Sequence, residues 1–209
     1  CNIIYIAIDE TALSKTQELN MPVYFHKCNI TNKETGKFNT PAFKEKSKIK
    51  LQITQQALKL GYNVLVTDLD EFFKTNPIQH IKCGEDCDIA VQDNQDAEVL
   101  EINTGFMYIK SNERTIQLYD EMEKRIPLFK FDDQLLFNKI VFSDKFKSLK
   151  LSILPKKEYC VGKRYTKSCL VYHANYAPGF DAKIVKLERH GMWQVGTSKE
   201  TMFKCTEMN

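Results

Sequence analysis

Two aspartates separated by one residue, Asp68 and Asp70, follow a run of β-formers in the stretch Asn63 to Pro77, NVLVTDLDEFFKTNP. On an extended backbone, side chains at i and i+2 point the same way, so two ionised carboxylates there repel unless a positive charge sits between them. A divalent cation answers that need. Carboxylate oxygens at a strand end suit Mn2+ or Mg2+, and both ions bridge to phosphate, so the chemistry predicted is the handling of a diphosphate. The same pair has a structural alternative, capping of the turn before Glu71, and the motif alone does not separate the two. A further candidate for chemistry is Asp9 at the end of the first strand, and Asp132/Asp133 form a second acidic pair.

These residues need a scaffold that brings strand ends together. Apolar runs alternate between strand-like and helix-like periods with no internal repeat, which predicts an α/β sheet domain. A first strand over Ile3 to Ile8 ends at Asp9, and a short polar helix and a strand in Pro22 to Cys28 follow. Thr40 and Pro41 read as N-cap and first residue of a long helix with Ile49, Ile53, Ala57 and Leu60 on one stripe and Gly61 as its C-cap. That helix leads into the strand Asn63 to Thr67. Strands are expected at Asp88 to Gln92 and Gly105 to Ile109, then a helix capped by Ser111 with Ile116, Tyr119, Met122 and Ile126 facing inward. A helix from near Asp132 through Phe142, strands at Leu149 to Leu154 and Leu170 to His173, and a helix near Asp181 to Arg189 complete the reading. Ligands of open α/β sheets lie beyond the carboxyl ends of strands, so Asp9 and the Asp68/Asp70 pair are expected to converge there.

The 209 residues, 43% of them hydrophobic, suit a single domain over 1–209. Interleaving of 30 basic and 27 acidic residues, net +3, argues against a nucleic-acid partner. No apolar run approaches the roughly 20 residues of a membrane span. The chain opens at Cys1 without a Met or an apolar leader, which predicts a domain excised from a longer chain and no signal peptide. Of the seven cysteines, Cys83 and Cys87 are spaced wrongly for a zinc ribbon and there is no CxxC. Scattered thiols fit a reducing, cytoplasmic setting, with one or two disulfides left open; a luminal enzyme without its anchor would read similarly.

Four segments resemble, in order, the blocks of nucleotide-diphospho-sugar glycosyltransferases of the GT-A fold. They are KIKLQITQQALKLGYNVLVTDLDEFFKTNP from Lys48, INTGFMYIKSN from Ile102, DDQLLFN from Asp132 and VYHANYAPGFDAK from Val171. The resemblance implies a Rossmann-like central mixed β-sheet flanked by helices, and it extends to the glycosyltransferase domains of viral glycosylation proteins. It implies that Asp70 binds Mn2+ (or Mg2+) directly, that Asp68 binds it or holds the donor ribose or sugar, and that His173 is a third protein ligand, as in glycogenin-like relatives. Gly179 and Lys183 are implied to meet the diphosphate, although their spacing departs from the glycogenin pattern. Lys48 is the lysine implied at the donor among Lys44, Lys46, Lys48 and Lys50, and Asp9 resembles the acid that contacts base or ribose. Asn103, Thr104 and Gly105 are implied at the lip of the sugar site, Asp133 on sugar hydroxyls, Gln134 near the anomeric carbon and Asp132 as a helix cap. A one-residue register slip would exchange Asp132 and Asp133.

The activity implied is transfer of a hexose, by default glucose or a deoxyhexose such as rhamnose, from a UDP-sugar to a hydroxyl on a glycan or glycoprotein, with retention. Tyr172 and Tyr176 are placed on the acceptor side or in the core, and the basic stretch Lys156 to Lys167 on an anionic ligand or in solvent. Two other readings stay open: a haloacid dehalogenase-type phosphatase using Asp68 as nucleophile, and an inactive nucleotide-sugar-binding domain.

Overall fold

A computed structural model describes residues 3–28, 40–94, 99–128, 132–162 and 164–193. Strand β1 (Tyr5–Ala7) pairs in parallel with β2 (Val23–Phe25) across helix α1 (Glu10–Glu18). Helix α2 (Pro41–Lys59) starts as its cap residues predict, with the Thr40 side chain accepting from the Phe43 N–H and Pro41 in the first turn. It ends at Gly61, whose φ of +88° a residue without a Cβ adopts freely.

A four-stranded mixed sheet follows, in the order β3 (Val64–Thr67), β6 (Ile102–Ile109), β5 (Ile89–Asp93), β7 (Leu151–Ile153). Among the described residues β3 is an edge of that sheet, not its centre. One face is covered by α2, α3 (Glu113–Arg125) and α4 (Asp133–Val141), which bury Leu58, Leu118, Met122, Phe137 and Ile140 against Ile89, Val91 and Ile109. On the other face lies a three-stranded sheet, β4 (Glu71–Phe73), β9 (Val171–His173), β8 (Tyr159–Val161), joined by Ala90, Phe106, Tyr159 and Val171. Helix α5 (Gly179–Arg189) follows β9. No helix among the described residues is long and apolar enough to cross a membrane.

Asp88 ties the layers together. Its buried carboxylate accepts from Arg114 Nε and Nη2 at 2.8 and 2.6 Å, from Asn112 at 2.8 Å and from the Lys150 N–H at 2.8 Å. The cap of α3 is Asn112, one residue beyond the expected Ser111.

The α2 stripe read from the sequence needs correction. Ile49 is buried, but Leu60 is 75% exposed, and the face that packs runs through Ser47, Leu51, Thr54, Gln55 and Leu58. Polar residues on the buried face hid it. Cysteine usage differs as well: Cys83–Cys87 and Cys160–Cys169 are disulfides, and Cys28 is the free thiol among the described residues. Sequence spacing carries no information on which thiols meet in space, which is why one or two disulfides were left open.

Candidate active site

After β3 the chain turns through Asp68, Leu69 and Asp70 into β4, and the antiparallel register of β4 with β9 sets Glu71 opposite His173. That register carries His173 beneath the two aspartates. Its Nε2 lies 3.3 Å from Asp70 Oδ1 and 4.0 Å from Asp68 Oδ2, and the three candidate ligand atoms fall within 4.8 Å of one another. From α5, Lys183 Nζ reaches Asp70 Oδ2 at 2.6 Å. From α2, Lys50 Nζ lies 3.3 Å from Asp68 Oδ1, 2.8 Å from Asp133 Oδ2 and 3.4 Å from the Thr104 carbonyl.

Strand β6 supplies the floor. Its pairing with β5 shifts register between Val91 and Gln92, and this irregularity lets Gly105 face the second sheet together with Phe106. A Cβ on Gly105 would overlap His173 Cε1 and stand 2.9 Å from both His173 Nδ1 and Asn103 Oδ1. The Asn103 oxygen accepts from the Gly105 N–H at 2.8 Å, and its amide nitrogen donates to Asn94 at 3.1 Å. Toward the helices, Thr104 Oγ1 donates to Asp133 at 3.2 Å, and the Thr104 N–H donates to Gln134 Oε1 at 3.3 Å. Gln134 Nε2 in turn donates to Glu101 at 3.0 Å. Asp132 caps α4 through the Leu135 N–H at 2.8 Å, which leaves Asp133 as the inward acid.

Charge is concentrated here. Burial works to raise the Asp70 carboxyl, but hydrogen bonds and charges from His173 and Lys183 outweigh it and hold that carboxyl well below the usual range. Burial likewise opposes the His173 imidazolium, yet Glu71 and the two aspartates push it up to about 9. Glu71, buried and flanked by Asp68 and Asp70, is raised to about 8 despite the opposing His173 charge. Lys50 overcomes its burial through Asp133 and Asp68 and stays firmly protonated; Asp133, also buried, is lowered by Lys50.

Asp68, Asp70 and Asp133 face Lys50, Lys183 and the His173 imidazolium, and a divalent cation on the two aspartates would take the place of the His173 proton between them. Two carboxylates and an imidazole on converging elements form a donor set that Mn2+ accepts. Both buried Glu71 oxygens lack a hydrogen-bond partner.

The structure thus gathers Asp68, Asp70, His173, Lys183, Asn103, Thr104, Gly105, Asp133 and Gln134. Lys48 is not among them. Its ammonium lies 3.9 Å from Glu45, and Lys50 holds the place expected for it. Two residues along a helix turn the side chain by roughly 200°, so Lys48 and Lys50 leave α2 on different faces. Asp9 accepts from the Ala12 N–H at 2.7 Å as the cap of α1, with Lys46 as a neighbouring charge. Gly179 opens α5 at φ +79°, with open space where a Cβ would stand. Tyr172 is a core residue that donates to the Gly162 carbonyl at 2.7 Å, whereas Tyr176 is half exposed. Lys50, Glu71, Asn94 and Glu101 were not anticipated. For Lys50 the signal was its position one turn from Ser47 and Thr54 on the buried face of α2.

Strand ends and helices thus gather two acids, an imidazole and two lysines in one place. Residues 1–187 match the nucleotide-diphospho-sugar transferase family, and the chain belongs to it. This removes the phosphatase reading. An uncharacterized protein of Arabidopsis thaliana is 24% identical over 90% of this chain and 59% of its own length. A beta-arabinofuranosyltransferase of the same plant is 23% identical over 94% of this chain and 43% of its own. The UDP-galactose:fucoside alpha-3-galactosyltransferase of Dictyostelium discoideum is 28% identical over 68% of this chain and 27% of its own. The chain therefore spans less than two thirds of these relatives. A glycosyltransferase involved in glycosylation of the major capsid of PBCV-1 superposes with a TM-score of 0.57 at 15% identity, covering 90% of this chain and 100% of that one. The glycosyltransferase α/β fold expected from the sequence is the fold observed.

Proposed function

We propose that this domain is a metal-dependent glycosyltransferase that moves a hexose from a UDP-sugar to a hydroxyl of a glycan or glycoprotein with retention. The observation that carries the reading is the convergence of Asp68, Asp70 and His173, from the β3–β4 turn and β9, with Lys183 at 2.6 Å from Asp70. Glucose is the default donor sugar and a deoxyhexose such as rhamnose is compatible. The name of the Dictyostelium relative adds galactose to the donors worth testing.

Breaking the bond between the anomeric carbon and the diphosphate builds negative charge on the leaving UDP as the sugar becomes oxocarbenium-like. A divalent cation held by Asp68, Asp70 and His173 would neutralise part of that charge. Lys183, resting on Asp70, is the ammonium available to the departing phosphate. Lys50 bridges Asp68 and Asp133. Asp133 and Asn103 offer acceptors for sugar hydroxyls, and Gln134, braced by Glu101 and the Thr104 N–H, is the candidate beside the anomeric centre. Asp9 and Lys48 take no part in this reading.

Calorimetry tests it. Wild-type protein should bind UDP only with Mn2+, and Asp70→Asn should abolish that binding while the variant still unfolds in one cooperative transition. Unchanged binding by the variant would contradict the site. A panel of UDP-glucose, UDP-galactose and deoxyhexose donors, assayed for transfer and slow donor hydrolysis, separates an enzyme from an inert binder, which would bind and do neither.

A further inference from the structure

Glu71 is an unusual residue for its position. It lies on a strand, where aromatic and β-branched side chains are favoured, and its side chain has 0% exposure. Neither carboxylate oxygen has a hydrogen-bond partner. A buried carboxylate in that state is heavily penalised, so an apolar residue would stabilise the strand better. The group it faces is His173: Glu71 Oε1 lies 3.2 Å from Nδ1, directly across the β4–β9 register.

The proton arrangement of that imidazole follows from its neighbours. The Gly105 N–H can only donate, so the Asn103 atom it meets is the oxygen, and that oxygen also lies 3.1 Å from His173 Nδ1. Nδ1 thus stands between two acceptors, Asn103 Oδ1 and Glu71 Oε1, and carries a proton. Nε2, facing Asp70 and Asp68, is the nitrogen left to donate its lone pair to a cation.

We infer that Glu71 is a positioning residue for the metal site, its carboxyl group 3.2 Å from Nδ1 favouring the proton on that nitrogen while Asn103 accepts the hydrogen bond, so that Nε2 stays toward the aspartates and is a stronger ligand. The inference rests on the metal-site reading above. Groups that surround the far nitrogen of a ligating histidine fix its tautomer and raise its basicity, and their loss typically lowers metal affinity 10–100-fold. Asn103 alone supplies the tautomer; Glu71 adds the charge.

The test measures Mn2+ binding in the presence of UDP for wild type, Glu71→Gln and Glu71→Leu. Glu71→Gln keeps the shape and removes the charge, and it should weaken Mn2+ about tenfold, with Glu71→Leu nearer a hundredfold. A second readout is the His173 Nδ1–H proton resonance with Zn2+ as a diamagnetic stand-in. It should lie far downfield in wild type and move upfield in Glu71→Gln, a change that loss of packing alone does not produce. Affinity within twofold of wild type in both variants, or an unmoved resonance, overturns the inference while leaving the metal site standing. Failure of wild type to bind Mn2+ overturns both.

Discussion

Adding one methyl group at Gly105 would push a carbon into His173 Cε1 and against Asn103 Oδ1, so the imidazole would have to leave its place between the aspartates and Glu71. Gly105→Ala should therefore lower stability by about 1–3 kcal/mol through overpacking. It should also weaken Mn2+ at least tenfold, because the ligand moves. Denaturant unfolding and calorimetry read the two effects separately, and wild-type affinity would show that His173 is not a ligand. The two lysines make a sharper pair. Lys50→Met strips the buried Asp133 of its counter-charge and should cost about 3 kcal/mol, the lower end for breaking a buried pair because Lys50 is a quarter exposed. Lys48→Ala should stay within about 0.5 kcal/mol. Equal effects would return the donor-side role to Lys48.

Helix α2 carries the clearest test at the scale of elements. Leu58 is fully buried and Leu60 is 75% exposed, so Leu58→Ala should cost about 2–5 kcal/mol while Leu60→Ala changes stability by less than about 0.5 kcal/mol in urea unfolding. A large loss at Leu60 would restore the apolar stripe. The ends of this helix were legible because Thr40, Pro41 and Gly61 act locally, through one side-chain hydrogen bond, a fixed φ and a positive φ. Its inward face was not, because Ser47, Thr54 and Gln55 are buried beside Leu51 and Leu58. That Asp68 and Asp70 would meet His173 was expected from the spacing of the pair and, for the histidine, from the resemblance alone. Strands β4 and β8 were missed: each is three residues long and held by long-range pairing with β9, which leaves no local period. The shift in β5–β6 pairing that aims Gly105 at His173 is a product of tertiary packing, and no residue spacing announces it.

For the molecule as a whole, the site behaves as a proton reservoir until a cation enters. His173 is raised from the ordinary 6.5 to about 9, so its contribution to stability is complete below pH 6.5 and is lost as pH rises through 9. Glu71, raised from 4.5 to about 8, has the same sign and loses its contribution between those values. Asp70 is lowered, so its contribution is present at neutral pH and disappears only in strong acid. The metal-free protein should thus lose melting temperature from pH 6.5 to 9. Mn2+ needs the neutral imidazole, so its apparent affinity should rise over that window by about tenfold per pH unit for one displaced proton. A flat profile would mean that the cation does not compete with a proton on His173.

The most direct measurement of the central claim is the anomalous scattering of a crystal grown with Mn2+ and UDP. A manganese peak is expected beside Asp68, Asp70 and His173 with the UDP diphosphate on it, and Lys183 turned from Asp70 toward phosphate. A manganese peak elsewhere, or a diphosphate lodged away from these residues, would contradict it.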